Sequence, residues 1–102
     1  MTGTVDKLST TERREAMATL KGWQKKRGRD AITKKFIFKD FSSAFSWMSR
    51  VAMKAEQMDH HPEWFNVYNR VEVILTTHDA GGVSQLDIDM ARFMDRTAPR
   101  QK

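Results

Sequence analysis

The sequence contains no cysteine, which removes a disulfide framework, a thiolate metal site and a cysteine nucleophile together. Stability then has to come from packing or from oligomerisation. Long apolar runs are missing too. No stretch approaches the ~20 residues that a bilayer-spanning helix requires, so no membrane association is expected. The opening MTGTVDKLSTTERR has no apolar segment behind a basic one, so nothing in it marks a secreted chain, and a cytoplasmic location is the expectation. Internal repeats and low-complexity segments are absent. What is present, 39% hydrophobic residues with six Phe, three Trp and one Tyr, is too apolar for a disordered chain. A chain of 102 residues buries roughly two-thirds of its extended surface and supports one small core. Residues 1–102 are therefore expected to form one domain, with flexible ends at 1–8 and 97–102.

The net charge of +5 raises nucleic acid as a partner, and the densest basic stretch is KKRGRD, followed by Lys34 and Lys35. It carries no aromatic run of the kind that stacks bases, no Cys/His finger spacing and no helix-turn-helix, and Asp30 interrupts it. Charge runs are usually solvated surface. The expectation is a turn between two strands and no direct contact with nucleic acid.

Ser9-Thr10-Thr11-Glu12 has the spacing of a capping box and predicts a helix with Ala16, Met17 and Leu20 as its apolar stripe, ended by Gly22. Trp23–Lys26 and Ala31–Lys39 read as strands around the turn Arg27–Asp30. Asp40 precedes the strongest helical pattern, Phe41, Ala44, Phe45, Met48, Val51, Ala52 and Ala55, a stripe expected to face the core. Trp47 and Met58 lie beside it, either at the rim of the core or at a subunit contact. Pro62 stops helical continuation, and Trp64 to Thr77 has strand composition with a tight turn near Asn69. After Ala80-Gly81-Gly82, Ser84 is the N-cap of a last helix, with Asp87 at its third position and Val83 and Ile88 at the spacing of a hydrophobic staple. Leu86, Met90, Phe93 and Met94 form its apolar side. Layer logic gives an α+β fold, α-β-β-α-β-β-α, with a four-stranded antiparallel sheet and the helices on one face.

The chain has three histidines, His60, His61 and His78, and they bracket the second strand pair. A turn centred on Asn69, or half a residue further on, sets His78 across from the His60-His61 pair. Carboxylates are close in sequence: Glu56, Asp59, Asp79 and Asp87. Imidazole donates and accepts protons near neutrality, and a carboxylate can fix its tautomer, so acid/base catalysis is one reading of this set. A metal site is a second, weakened because neither the H-x-H nor the H-x3-H spacing occurs. A structural role is the third.

The segment EQMDHHPEWFNVYNRVEVILTTHDAGGVSQLD closely resembles the signature region of the pterin-4a-carbinolamine dehydratases. In that family an acid precedes a His-His-Pro unit, an aromatic follows, and a Thr-His leads to a Gly-rich turn and an Asp. The matching residues are Glu56, His60, His61, Pro62, Tyr68, His78 and Asp87. The likeness continues upstream through LSTTERRE, GW, GRDAI and FKDFSSAFSWMSRVA, so it covers nearly the whole chain.

The resemblance implies a hydro-lyase that converts 4a-hydroxytetrahydrobiopterin to quinonoid dihydrobiopterin and water, recycling the pterin of aromatic amino-acid hydroxylases without metal or cofactor. It implies that His60 and His78 act as acids and that His61 orients the pterin with some basic character. Asp59, Thr76, Thr77 and Asp79 match substrate-contacting positions. Glu56, Pro62, Trp64 and Asp87 are expected to support the site, with Pro62 and Trp64 as apolar wall and Asp87 divided between helix capping and site support. Tyr68 matches a family position at the turn and reads as structural. The family also implies a homotetramer, a dimer of dimers. Its animal members double as dimerisation cofactors of a homeodomain transcription factor through the tetramer helix, so such a partner, and with it a nuclear location, is the second expectation. Ala80 replaces a cysteine common in animal members and Val83 a leucine, while Trp47 and Ser42-Ser43 alter the helix that docks the partner there.

Overall fold

Each helix begins on a side-chain cap that the local sequence supplies. In the computed structural model, which describes residues 5–101, Ser9 and Glu12 exchange hydrogen bonds of 3.0 and 2.8 Å to open α1 (Thr10–Met17). Asp40 accepts from the Ser43 amide at 2.8 Å to open α2 (Phe41–Met58). Ser84 and Asp87 form a second capping box at the start of α3 (Gln85–Thr97). Each such cap satisfies amides that would otherwise be unpaired at the helix start.

The strands are β1 (Gln24–Lys25), β2 (Ile32–Ile37), β3 (Glu63–Val67) and β4 (Arg70–Leu75), with a short 3-10 turn, His78–Ala80, before α3. They form an antiparallel sheet in the order β1-β2-β4-β3, and the fold is α+β as the element pattern predicts. Alternation along the strands sends Ile32 and Phe36 of β2 and Val71, Val73 and Leu75 of β4 into the core, because successive strand side chains point to opposite faces. Ala44, Trp47, Val51 and Ala55 of α2 meet them there, with Ile88, Met90, Ala91 and Met94 of α3. Val83 and Ile88, the staple pair, are both fully buried. Among the described residues no helix is long and apolar enough to cross a membrane.

Four expectations are corrected. Helix α1 ends at Met17 with Ala18 as its cap, and Gly22, at φ +85°, shapes the following turn instead. Helix α2 ends at Met58 because Asp59 adopts a left-handed conformation, φ 51° and ψ 43°, before Pro62 is reached. The stripe of α2 is rotated: Phe41, Phe45 and Ala52 are exposed, whereas Trp47 is 4% exposed and central to the core. Its indole lies 4.6 Å from the Phe36 ring and 5.2 Å from that of Phe38, and its Nε1 donates to Thr97 Oγ1 at 3.2 Å. A large aromatic whose one polar atom finds a partner gains more from burial than a phenylalanine on the flank. Finally, the β3–β4 turn is the pair Tyr68-Asn69, which aligns Glu63 with Ile74 and Val67 with Arg70. That register, continued past the strand ends, sets His60 level with Thr77 and His61 level with Thr76, not with His78.

Of the ends expected to be flexible, residues 1–4 and 102 lie outside the described residues. Leu8 donates its amide to Val83 O at 2.8 Å, and Lys7 bridges to Ser84, beside the start of α3. Replacement of Trp47 by alanine should lower unfolding free energy by about 3–5 kcal/mol, through lost burial and a residual cavity. Asp40→Ala, which removes only a cap, should cost about 1 kcal/mol. Urea titrations followed by tryptophan fluorescence and circular dichroism compare the two.

Candidate active site

The left-handed Asp59 that stops α2 also aims the histidines. Its turn, closed by a hydrogen bond from the His60 amide to Ala55 O at 3.0 Å, carries His60 inward to 7% exposure and leaves His61 on the surface. On the far side, β4 runs out at Leu75. Thr77 and Gly82 then exchange backbone hydrogen bonds of 3.0 and 3.2 Å, closing the small loop that holds His78 and Asp79. Between these two loops lies a cavity of about 780 Å³. Asp59, His60, His61, Thr76, Thr77, His78 and Asp79 line it, together with Val5, Met58 and Leu86.

The three imidazoles have different surroundings. His60 Nε2 donates to Asp87 Oδ1 at 2.6 Å in a buried contact, which directs its other nitrogen, Nδ1, away from the carboxylate. His61 Nε2 donates to Glu56 Oε1 at 2.8 Å, and both residues are exposed. His78 is exposed and has no hydrogen-bonding side-chain partner among the described residues.

Asp87 is fully buried. Its Oδ2 accepts from the Ser84 amide at 2.9 Å and from Thr77 Oγ1 at 2.8 Å, while its Oδ1 takes His60. One oxygen caps α3 and the other holds the histidine, so the capping and site-facing positions expected of Asp87 are divided between the two oxygens of one carboxylate. Thr77 is similarly engaged: its hydroxyl lies 2.7 Å from Ser84 Oγ as well as bonding Asp87. Thr76 Oγ1 donates to Asp30 O at 2.8 Å and keeps its lone pairs for another donor.

Two of the supporting residues are elsewhere. Trp64 packs 6.4 Å from Trp47, and its side chain lines a different hollow on the sheet; Pro62 is half-buried and does not line the cavity. They sit three and five residues beyond the left-handed Asp59, Pro62 just before β3 and Trp64 within it, where the chain leads back along the sheet. Val5, Met58 and Leu86 were not singled out for the site by the sequence. Leu86 could have been suspected from its place in the capped first turn of α3, beside Asp87, but Val5 precedes α1 and carries no local signal.

Asp30, which in the sequence only interrupts a basic run, ties this region to α1. Its carboxylate accepts from Arg13 and from the Val83 amide and lies 3.8 Å from Lys7. Burial alone would raise this carboxyl, but the Val83 amide, Arg13 and Lys7 outweigh that and hold it below the ordinary value of 3.8. The neighbouring Arg29 forms a bidentate pair with Glu63, at 2.8 Å for each bond, so the basic turn is folded onto the start of β3.

The fold and this cavity define a small α+β protein that gathers histidine, threonine and aspartate side chains around a ligand-sized hollow. Residues 6–97 match the family model described as pterin 4 alpha carbinolamine dehydratase, and the chain belongs to that family. Relatives provisionally named pterin-4-alpha-carbinolamine dehydratases include one from Rhodopseudomonas palustris, 54% identical over 92% of this chain and 93% of the relative. Another, from Brucella ovis, is 56% identical over 91% of this chain and 96% of its own. A crystal structure of a Brucella melitensis protein, described as a transcriptional coactivator/pterin dehydratase, superposes with a TM-score of 0.90 at 55% identity. That match covers 92% of this chain and all of the other.

A carboxyl whose folded value is depressed contributes stability that is complete above its ordinary value and is lost as pH falls through the lower folded one. Asp30→Asn should therefore lower stability by about 1–3 kcal/mol near neutrality and flatten the loss on acidification. Urea unfolding between about pH 2 and pH 6 measures both.

Proposed function

We propose that this chain is a hydro-lyase acting on 4a-hydroxytetrahydropterins, which it converts to the quinonoid dihydropterin and water. The observation that carries the reading is the gathering of all three histidines, in three different hydrogen-bonding environments, around one cavity. In the reaction the C4a–O bond breaks, the hydroxyl leaves as water after gaining a proton, and the N5 proton departs as the C4a=N5 bond forms. Hydroxide is a poor leaving group, so a positioned acid lowers the barrier, and each proton transfer is typically worth ~10²- to 10⁴-fold.

His78, exposed at the cavity and without a side-chain hydrogen bond among the described residues, and His60, through Nδ1, supply protons. His61, steadied by Glu56, orients the pterin and takes the N5 proton. Asp59, Thr76 and Asp79 offer acceptors and a hydroxyl to the heterocycle. Thr77 and Asp87 are positioning residues that act through His60. No metal or cofactor enters the reaction. The physiological reading is recycling of the hydroxylases' pterin.

A second activity is favoured by two observations. The relative of known structure is described as a transcriptional coactivator as well as a dehydratase, and α2 exposes Phe41, Phe45 and Met53, at 47%, 55% and 71%. That flank suits self-assembly into the tetramer expected of the family, or docking of a transcription-factor dimerisation segment, which would bring the protein to the nucleus as well as the cytoplasm. Exposed apolar side chains at helical spacing commonly mark such contacts.

Stopped-flow decay of freshly generated 4a-hydroxytetrahydrobiopterin tests the first reading. The parent should accelerate it over buffer, and His60→Ala and His78→Ala should each lose about 10²-fold or more; a parent no faster than buffer overturns the assignment. Asp87→Asn should slow the reaction and alter its pH profile more than its KM. For assembly, sedimentation of Phe45→Glu should give a smaller species than the parent.

A further inference from the structure

Beyond the histidine cavity, a second hollow of about 330 Å³ follows the seam between α2 and α3 and is lined by Lys54, Met58, Asp89, Arg92, Phe93 and Arg96. Two of its cations share one ring: Lys54 Nζ and Arg96 Cζ each lie 5.4 Å from the Phe93 centroid. None of Lys54, Arg92 and Arg96 takes part in an ion pair among the described residues. Among the described residues Arg92 hydrogen-bonds Thr19 Oγ1 alone, at 3.2 Å. The single carboxylate on the wall, Asp89, accepts from Gln85 Nε2 at 2.9 Å. Three cations against one acid, around a half-buried aromatic face, suit an anion attached to a flat group.

The hollow adjoins the histidine cavity. Met58 lines both. Lys54 precedes it by one turn of α2, and on α3 Leu86 faces the first hollow while Phe93, seven residues on, faces the second. At 1.5 Å per residue this sets Phe93 about 10 Å along α3 from Leu86, and so from the wall of the histidine cavity. A free anion would meet only exposed cations, each worth little alone; an anion tethered to a pterin already seated in the first hollow arrives at high effective concentration.

We infer that the seam between α2 and α3 is a subsite for an anionic substituent on the pterin, a carboxylate or phosphate carried on a linker of about 10 Å that lies against Phe93. The inference rests on the pterin reading of the histidine cavity. It makes Lys54, Arg92 and Arg96 determinants of specificity, not of chemistry.

Fluorescence titration with two stable oxidised pterins separates the two ideas. Biopterin has a short neutral side chain, and pteroylglutamate has an aromatic linker ending in carboxylates. The parent should bind pteroylglutamate roughly tenfold more tightly than biopterin, from several weak ion pairs acting together, and about 0.5 M salt should erase most of that advantage. Lys54→Glu with Arg96→Glu should bring pteroylglutamate down to the biopterin level and leave biopterin binding unchanged, which also reports that the variant is folded. Lys54→Met with Arg96→Met gives the same comparison without introduced acids. Equal binding of the two pterins by the parent, or an advantage that survives salt and both double variants, overturns the subsite and leaves the pterin reading intact. Failure of the parent to bind either pterin overturns both.

Discussion

A carboxylate with no access to water has to be met by donors on every side, and Asp87 imposes that condition on three parts of the chain at once. The cost of leaving a buried charge unpaired is several kcal/mol, so the α3 start, the end of β4 and the turn after α2 must each deliver a hydrogen bond. They do so through the Ser84 amide, the Thr77 hydroxyl and the His60 imidazole. The histidine is fixed by the same constraint that fixes the helix. A structure in which α3 began one residue later, or β4 ended one residue earlier, would leave Asp87 short of a partner and His60 without an orientation.

The other two imidazoles are free of that constraint, and the difference is set by backbone geometry. Asp59, in the left-handed region, turns the chain by enough to send consecutive histidines to opposite environments. His60 goes to a buried acid and His61 to an exposed one, Glu56. His78 sits on a short 3-10 turn whose ends are tied by Thr77 and Gly82. A buried pair holds one geometry at low dielectric, while an exposed pair is weakened by solvent. Three copies of one side chain therefore line the same hollow in three different hydrogen-bonding environments.

The two capping boxes, the element order and the presence of a histidine cluster were legible in the sequence because each depends on residues a few positions apart. The orientation of α2 was not. Seven apolar residues at helical spacing fit a stripe through Phe41 and Phe45 as well as one through Trp47, and the choice rests on Phe36 of β2, on Phe38 just beyond it and on the Thr97 hydroxyl of another helix. The hairpin register failed by a small margin for a related reason. The turn at Tyr68-Asn69 is held by Asn66 and by a bond from Asn69 to Phe38 O at 2.8 Å, and the latter comes from outside the hairpin. The role of Asp30 could not be seen at all, since its partners lie 17 and 53 positions away.

Asp30 and Asp87 together explain why the residue before the last helix's cap region is glycine. Consecutive amides, Val83 and Ser84, point to different acids, Asp30 Oδ1 at 3.2 Å and Asp87 Oδ2 at 2.9 Å. The chain is therefore held between a carboxylate linked to α1 through Arg13 and another linked to the histidine cavity. Gly82 passes so close to Asp30 and the Lys7 stem that a Cβ there would collide with both. Any larger residue would have to push Asp30 away, which would release the Val83 amide and loosen the α3 start that presents Asp87. The short glycine turn is thus coupled to the orientation of His60 through two acids.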